Sequence, residues 1–206
     1  AKVNPDKAAF AIKVAASMGY LSVHAMDRLS IRLIYGDKTE EIDGTITGKD
    51  AFFRALTKLE ETKFQGTADI SKAITSSLNI GGNDGLTVII SDFLTDSDWK
   101  KAVDYLVYRK KQVMLIQVLS PEENNPSYNG RIRIVDAESN HPLDERNIKM
   151  RITKSDFNAY KQALSDYKDE MKKFCSSRGV HYVSVSSDEP IEKFIFKRLE
   201  HIGTVK

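Results

Sequence analysis

The sequence is poor in the features that mark several classes of protein. Cys175 is the only cysteine among 206 residues, which excludes an intramolecular disulfide and a cysteine-rich zinc site. A single cysteine also favours a reducing, cytoplasmic setting. No apolar run reaches the length of about 18 residues that a membrane-spanning helix needs, so we expect no membrane segment in this chain. Lysine and arginine (31) nearly balance aspartate and glutamate (29), so charge gives no case for a nucleic-acid partner.

What remains is an ordinary globular composition, with 41% hydrophobic and 29% charged residues. The length suits one domain covering residues 1–206, which can bury a core without disulfides or metal staples. Segments with strand and helix patterns alternate along the chain. This alternation predicts an α/β fold: a doubly wound, mostly parallel, Rossmann-like sheet with helices on both faces.

Two apolar runs, 86–90 and 113–119, are typical of parallel strands buried on both faces, and we interpret the first as the central strand. Shorter or alternating patterns predict further strands at 29–35, 41–46 and 180–185, with an antiparallel insertion around 129–152. Apolar residues at helical spacing predict helices over the following ranges: 4–27, 48–59, 70–78, 95–110, 155–177 and 190–199. Thr95 and Asp98 have the spacing of a helix-capping box, and Gly179 is a suitable helix C-cap.

The first residues have the pattern of a helix start. Asn4 suits the N-cap, Pro5 suits the first helical position, and Asp6 lies in the first turn. The sequence enters this helix directly and has no initiator methionine before it. We therefore expect that a first strand lies upstream of Ala1.

Two polar segments stand where a parallel sheet binds ligands, beyond the carboxyl ends of its strands. Ser91 and Asp92 end the first apolar run, and residues 66–69 precede a predicted helix. A hydroxyl from Thr67 and a carboxylate from Asp92 would suit a hard cation such as Mg²⁺, which prefers oxygen ligands. The plainer alternatives are that Thr67 caps the following helix and that Asp92 binds nearby backbone amides in a turn.

Several motifs together resemble the von Willebrand factor A fold and, more narrowly, the bacterial Domain of Unknown Function 58 family. They cover nearly the whole chain, and the most specific is the stretch from Ser91 to Leu94 with Trp99 downstream. The full set is Asp27-Arg28-Leu29, Gly66-Thr67-Ala68-Asp69, Val88-Ile89-Ile90-Ser91-Asp92-Phe93-Leu94-Thr95-Asp96, Gln117-Val118-Leu119-Ser120-Pro121-Glu122-Glu123, Gly179-Val180-x-Tyr182 and Ser187-Asp188-Glu189-Pro190-Ile191.

The resemblance implies a metal-ion-dependent adhesion site built from three loops. Thr67 and Asp92 match the threonine and aspartate of two of these loops. The third loop, an Asp-x-Ser-x-Ser motif after the first strand, does not occur before Asn4. The expected Mg²⁺, or another divalent cation, is therefore conditional on such a motif lying upstream. An acidic group of a partner would complete the coordination of the ion.

The same resemblance implies a non-enzymatic protein-interaction module that works beside a MoxR-type AAA+ ATPase in a chaperone-like system. Gly66, Phe93 and Leu94 adjoin the expected metal ligands and are the candidate partner contacts, although Phe93 and Leu94 could equally be core residues. Two alternatives stay open: a phosphotransfer or hydrolytic enzyme that uses Asp92, and a structural domain without a metal. No nucleophile elbow surrounds Ser91, and the four histidines show no spacing of metal ligands.

Overall fold

The computed structural model of the chain describes residues 5–62, 64, 66–77, 85–126, 131–133, 149–151 and 154–199. The helices are α1 (Pro5–His24), α2 (Lys49–Glu60), α3 (Ile70–Ser76), α4 (Trp99–Tyr108), α5 (Pro121–Asn124), α6 (Lys154–Ser176) and α7 (Ile191–Lys193), which continues into a π-helical segment (Phe194–Leu199). The strands are β1 (Leu29–Tyr35), β2 (Lys38–Ile46), β3 (Leu86–Ser91), β4 (Gln112–Leu119), β5 (Arg131–Arg133), β6 (Lys149–Arg151) and β7 (His181–Ser186).

A three-stranded parallel sheet forms the centre of the described structure, with the strand order β3-β4-β7. Ile89 of β3 is level with Leu115 of β4, and Ile116 of β4 is level with Val183 of β7. Residues 113–119 of β4 are all buried, whereas Leu86 at the start of β3 is 40% exposed. The middle strand of this sheet is therefore β4, and the prediction that β3 holds the central place is wrong for the described strands.

Helices cover both faces of this sheet. Successive side chains of β4 point to opposite sides, so this apolar strand packs against both layers of helices. Val113 and Leu115 pack into a core cluster with α3, α4 and α6. Met114, Ile116 and Val118 pack into a second cluster with α1 and the π-helical segment. The α/β class and its parallel strands are thus confirmed, since the run of apolar residues in β4 is buried on both faces as expected.

The strands β1 and β2 form a separate antiparallel pair, in which Ile31 is level with Ile42. The second strand begins at Lys38, three residues before the predicted start. A third core cluster packs this pair against α1 and α2. The described strands therefore form separate sheets, and one continuous doubly wound sheet stays a prediction.

The predicted insertion contains an antiparallel pair, β5 with β6, in which Ile132 is level with Met150. The rest of that insertion lies outside the described residues, as does the expected N-cap Asn4. Every helix in the described ranges is too short or too polar to cross a membrane. The assignment of the whole chain to one domain stays a prediction.

Candidate functional site

Two loops meet beyond the carboxyl end of β3. The hydroxyl of Thr95 donates a hydrogen bond to the carbonyl of Ala68 (3.4 Å), and the hydroxyl oxygen of Ser97 accepts one from the backbone N–H of Ile70 (3.3 Å). Loop 66–69 and loop 92–97 are therefore neighbours. Together with residues 120–124 after β4 and the first turn of α1, they form what we call the rim.

Thr67 and Asp92 thus lie on adjacent loops of the same edge, as the sequence predicts. Thr67 is exposed, and within the described residues its hydroxyl makes no hydrogen bond. It does not cap α3, because Asp69 is the N-cap and its carboxylate accepts from the N–H of Lys72 (3.0 Å). Gly66 is exposed with φ +80°, a left-handed conformation that favours glycine.

Local and distant contacts hold Asp92 at the end of β3. Its Oδ1 accepts from the N–H of Leu94 (3.1 Å), which is the turn contact that the plainer interpretation predicts. Its backbone carbonyl accepts from Nε2 of Gln117 (2.9 Å). Its Oδ2 pairs with the ammonium of Lys7 (2.8 Å) at the start of α1.

Lys7 bridges two carboxylates, because its Nζ also lies 2.7 Å from Oε1 of Glu123. The three side chains are only 13%, 33% and 30% exposed for Lys7, Asp92 and Glu123. Burial by itself lowers the pKa of Lys7, but the hydrogen bonds and negative charges of Asp92 and Glu123 outweigh it and raise that pKa above its usual value. The Lys7 side chain is therefore a fixed positive charge in the rim.

The position of Glu123 follows from a capping box at α5. The N–H of Ser120 donates to Oε2 of Glu123 (2.7 Å), and the N–H of Glu123 donates to the Ser120 hydroxyl (3.2 Å). Sequence reasoning missed both Lys7 and Glu123. The Ser-x-x-Glu spacing at 120–123 was the available signal for Glu123. The box expected at Thr95 is wrong: α4 has Asp98 as its N-cap, and Thr95 accepts from the N–H of Ser97 instead.

Gln117 is a buried polar residue in the apolar strand β4, and it too was missed. Its Oε1 accepts from the Tyr182 hydroxyl (2.6 Å), while its Nε2 reaches the Asp92 carbonyl. Burial raises the pKa of Tyr182, so this hydroxyl stays a donor over the physiological range. A hydrogen-bonded row thus runs from β7 through β4 to the end of β3 and orients Asp92.

The two predicted partner contacts after Asp92 lie in different environments. Phe93 is 1% exposed, and its ring packs edge-on against Trp99 with centroids 6.0 Å apart. Its φ is +55°, a left-handed conformation that is rare for a bulky residue, and its carbonyl accepts from the Tyr167 hydroxyl (2.7 Å). Leu94 follows at the surface and is 42% exposed.

A shallow pocket of about 280 Å³ opens next to Asp92, and its lining is partly apolar and partly acidic: Phe93, Leu94, Thr95, Asp96 and Tyr167. The exposed wall is formed by Leu94 and Asp96.

The described residues do not fit a divalent cation by themselves. In the described ranges, no three histidine, cysteine, aspartate or glutamate side chains come together as a metal site. Both oxygens of Asp92 are engaged, one by Lys7 and one by the Leu94 amide. An ion near Asp92 would also face the Lys7 ammonium, which repels it. The magnesium site therefore stays a prediction that needs ligands beyond Thr67 and Asp92.

Comparison with known proteins gives a family and two distant structures. No curated protein matches the chain. One solved structure, the conserved hypothetical protein BatB from Bacteroides thetaiotaomicron, shares 16% identity over 93% of this chain and 88% of that one, with a TM-score of 0.46. Another, an aerotolerance-related membrane protein from Bacteroides fragilis NCTC 9343, shares 15% identity over 92% and 88%, with a TM-score of 0.48. The family model described as "Protein of unknown function DUF58" matches residues 2–166, and the chain therefore belongs to that family.

Proposed function

We propose that the chain is a non-enzymatic, von Willebrand factor A-like protein-interaction module that binds its partner through the rim. The observation that carries the proposal is Leu94, a large apolar side chain that is 42% exposed beside the pocket and beside Asp92. The carboxyl-end edge of a parallel sheet is where such folds bind ligands. An exposed apolar residue bordered by polar groups is typical of a contact surface.

The rigidity of this surface supports the proposal. Phe93 is held in the core, and the backbone of Asp92 is tied to Gln117. Leu94 is therefore presented by a segment that is already ordered. A preorganised contact residue binds more tightly because little conformational entropy is lost on association.

The partner that we propose is a MoxR-type AAA+ ATPase in the cytoplasm, on the strength of the family resemblance. The partner would hydrolyse ATP, and this chain would act as its adaptor. A dependence on Mg²⁺ is part of the proposal only if further ligands join Thr67 and Asp92. Gly66 and Thr67, on the loop next to Leu94, would lie at the border of the contact.

Binding of the full-length protein to the purified MoxR-type ATPase of the same organism tests this, by calorimetry with Mg²⁺ and with EDTA. We expect Leu94→Asp to weaken binding by at least about tenfold, because it places a charge in an apolar contact. Tyr108→Asp is the matched control, since Tyr108 is 83% exposed and is the last residue of α4, at the opposite edge of the sheet. Wild-type affinity in Leu94→Asp would contradict the proposal.

A second candidate, phosphoryl transfer to Asp92, is favoured by one observation. Lys7 and Glu123 both lie near Asp92, and phosphoacceptor aspartates need a nearby lysine and further carboxylates. In such a step, an oxygen of Asp92 would attack the phosphorus of acetyl phosphate, and acetate would leave. Intact-mass measurement after incubation with acetyl phosphate and Mg²⁺ decides the matter: a phosphoryl adduct absent from Asp92→Asn supports this candidate, and no adduct on the wild type rejects it. A structural domain without a metal would give neither an adduct nor an effect of Leu94→Asp.

A further inference from the structure

The pocket beside Leu94 has a negative charge in its lining. Among the described residues, Asp96 is the one charged side chain in its lining, and the neighbouring Asp92 shares the Lys7 ammonium with Glu123. Two carboxylates that share one ammonium keep a net negative charge next to the pocket, and Asp96 adds to it. The chain as a whole carries a formal charge of +2, so this sign is a local property of the rim.

The size of the pocket limits what it can hold. At about 280 Å³ it lies just below the range of roughly 300–1,000 Å³ that is typical of small-molecule sites. Its walls combine the apolar side chain of Leu94, the ring of Tyr167 and the carboxylate of Asp96. A single amphipathic side chain with an apolar stem and a charged end matches both the size and the lining.

We propose that the pocket receives a basic side chain of the partner, an arginine or a lysine. Its methylene stem lies against Leu94 and Tyr167, and its positive end faces Asp96. This inference rests on the proposed function, because it names the chemistry of the partner at the same surface.

The sign of the partner charge separates this proposal from a metal-bridged contact. A metal-bridged rim would bind a carboxylate of the partner. Here Lys7 already neutralises part of the charge on Asp92 and Glu123, and Asp96 has no ion pair among the described residues. A partner carboxylate would meet like charges, whereas a basic group would meet complementary ones.

Two blocked hexapeptides provide the test, identical except that a central leucine is flanked by two arginines in one and by two glutamates in the other. Binding to the full-length, ¹⁵N-labelled protein is followed through the amide signals of Leu94, Thr95 and Asp96. We expect the arginine peptide to shift these signals, and to do so less at about 500 mM than at about 50 mM NaCl. We expect no shift from the glutamate peptide.

Three variants localise the effect. Asp96→Asn changes an exposed residue, so the fold should stay intact. It should weaken binding of the arginine peptide by about threefold or more. Lys7→Met should strengthen it, because the rim loses its own positive charge. Lys13→Met is the matched control: it removes the same charge from an exposed site on the same helix and should change nothing.

Equal or stronger shifts with the glutamate peptide, or no shift with either peptide, overturn the proposal. Wild-type affinity of the arginine peptide for Asp96→Asn also overturns it. Leu94→Asp could lose ATPase binding while neither peptide shifts the amide signals. That result would support the proposed function and reject only the basic partner group. The opposite result, an active arginine peptide with unchanged ATPase binding, would reject the proposed function.

Discussion

At the level of single residues, Cys175 is held in a chemically quiet state. It is 1% exposed at the end of α6 and packs in the same core cluster as Trp99 and Met171. Burial raises the pKa of its thiol to about 11, although the charge of Arg178 opposes that shift. Because the thiolate is the reactive form, this cysteine should be inert in the folded protein at neutral pH.

The raised pKa of Cys175 predicts a loss of stability in alkali. The unfolded thiol, with a pKa near 9, releases its proton before the folded thiol does. The contribution of the Cys175 thiol to the free energy of unfolding is therefore complete below about pH 9, and it falls as the pH rises towards 11. Over that range the free energy of unfolding should fall by about 2 kcal/mol more in the wild type than in Cys175→Ala.

Urea unfolding followed by the fluorescence of Trp99, the only tryptophan, measures both proteins at each pH. Other groups with a raised pKa, among them Lys7 and Tyr182, also make the protein less stable in alkali. Their effect is the same in the wild type and in the variant. The difference between wild type and variant therefore isolates Cys175. If the free energy of unfolding fell equally in the wild type and in Cys175→Ala from pH 8 to 11, the raised pKa of Cys175 would be refuted.

The candidate site could be predicted from sequence only in part. The residues that follow an apolar strand reveal themselves locally, which is how Asp92 and Leu94 were found. Lys7 stands 85 positions from Asp92 and 116 from Glu123, and no local pattern links them. The polar residue Gln117 inside an apolar strand was a visible anomaly, but its partners on β3 and β7 follow only from strand pairing.

At the level of elements, α1 packs tightly against its neighbours at Gly19. A Cβ atom there would lie 2.8 Å from Cε2 of Phe52 on α2 and 3.0 Å from Cδ2 of Leu29 on β1. Phe52 is 1% exposed and belongs to the third core cluster, so its ring has little room to move. The absence of a side chain at Gly19 therefore sets the spacing of α1, α2 and β1.

Gly19→Ala should accordingly destabilise the protein. Helix propensity alone would favour alanine by about 1 kcal/mol, but the contact with Phe52 should outweigh it and leave a net loss of about 1 kcal/mol. Phe52→Leu shortens the obstructing side chain. The double variant should therefore lose less free energy of unfolding than the sum of the losses in the two single variants. Denaturant titration of the four proteins tests this. A more stable Gly19→Ala would mean that the helices shift apart freely.

The elements themselves were largely predictable, because periodicity reports burial directly. It located α1, α2, α6 and the three described strands of the parallel sheet within a few residues. Periodicity does not predict which of several neighbouring groups a side chain will bind. The hydroxyl of Thr95, for example, accepts a hydrogen bond from the N–H of Ser97 instead of capping α4. Periodicity also failed for the middle strand, since β3 and β4 are both apolar and only their pairing distinguishes them.

At the level of the whole molecule, helices rather than strands join the two main sheets. Phe10 and Val14 of α1 pack on the parallel sheet, and Val23 of the same helix packs on the β1–β2 pair. On the other face, Ile70 and Ile74 of α3 share a cluster with the parallel sheet and with Ile34 of β1. Between the described strands of the two sheets there is no hydrogen-bonded ladder.

Units that share no strand ladder open separately more easily than units that share one, so stability should differ between the two sheets. We expect the amides of β4, in the buried middle of the parallel sheet, to exchange hydrogen only through global unfolding. The amides of β1 and β2 should exchange with a free energy lower by about 2 kcal/mol or more.

Native-state hydrogen exchange at low urea concentrations measures both sets of amides. Val14→Ala is the informative variant, because Val14 is fully buried against the parallel sheet and is absent from the cluster around β1 and β2. It should lower the exchange free energy of β4 and bring it closer to that of the β1–β2 pair. If the wild-type amides of both sheets instead share one exchange free energy and one dependence on urea, α1 and α3 couple the sheets into a single cooperative unit. The rim, which takes loops from both sides of that junction, would then be as stable as the core beneath it.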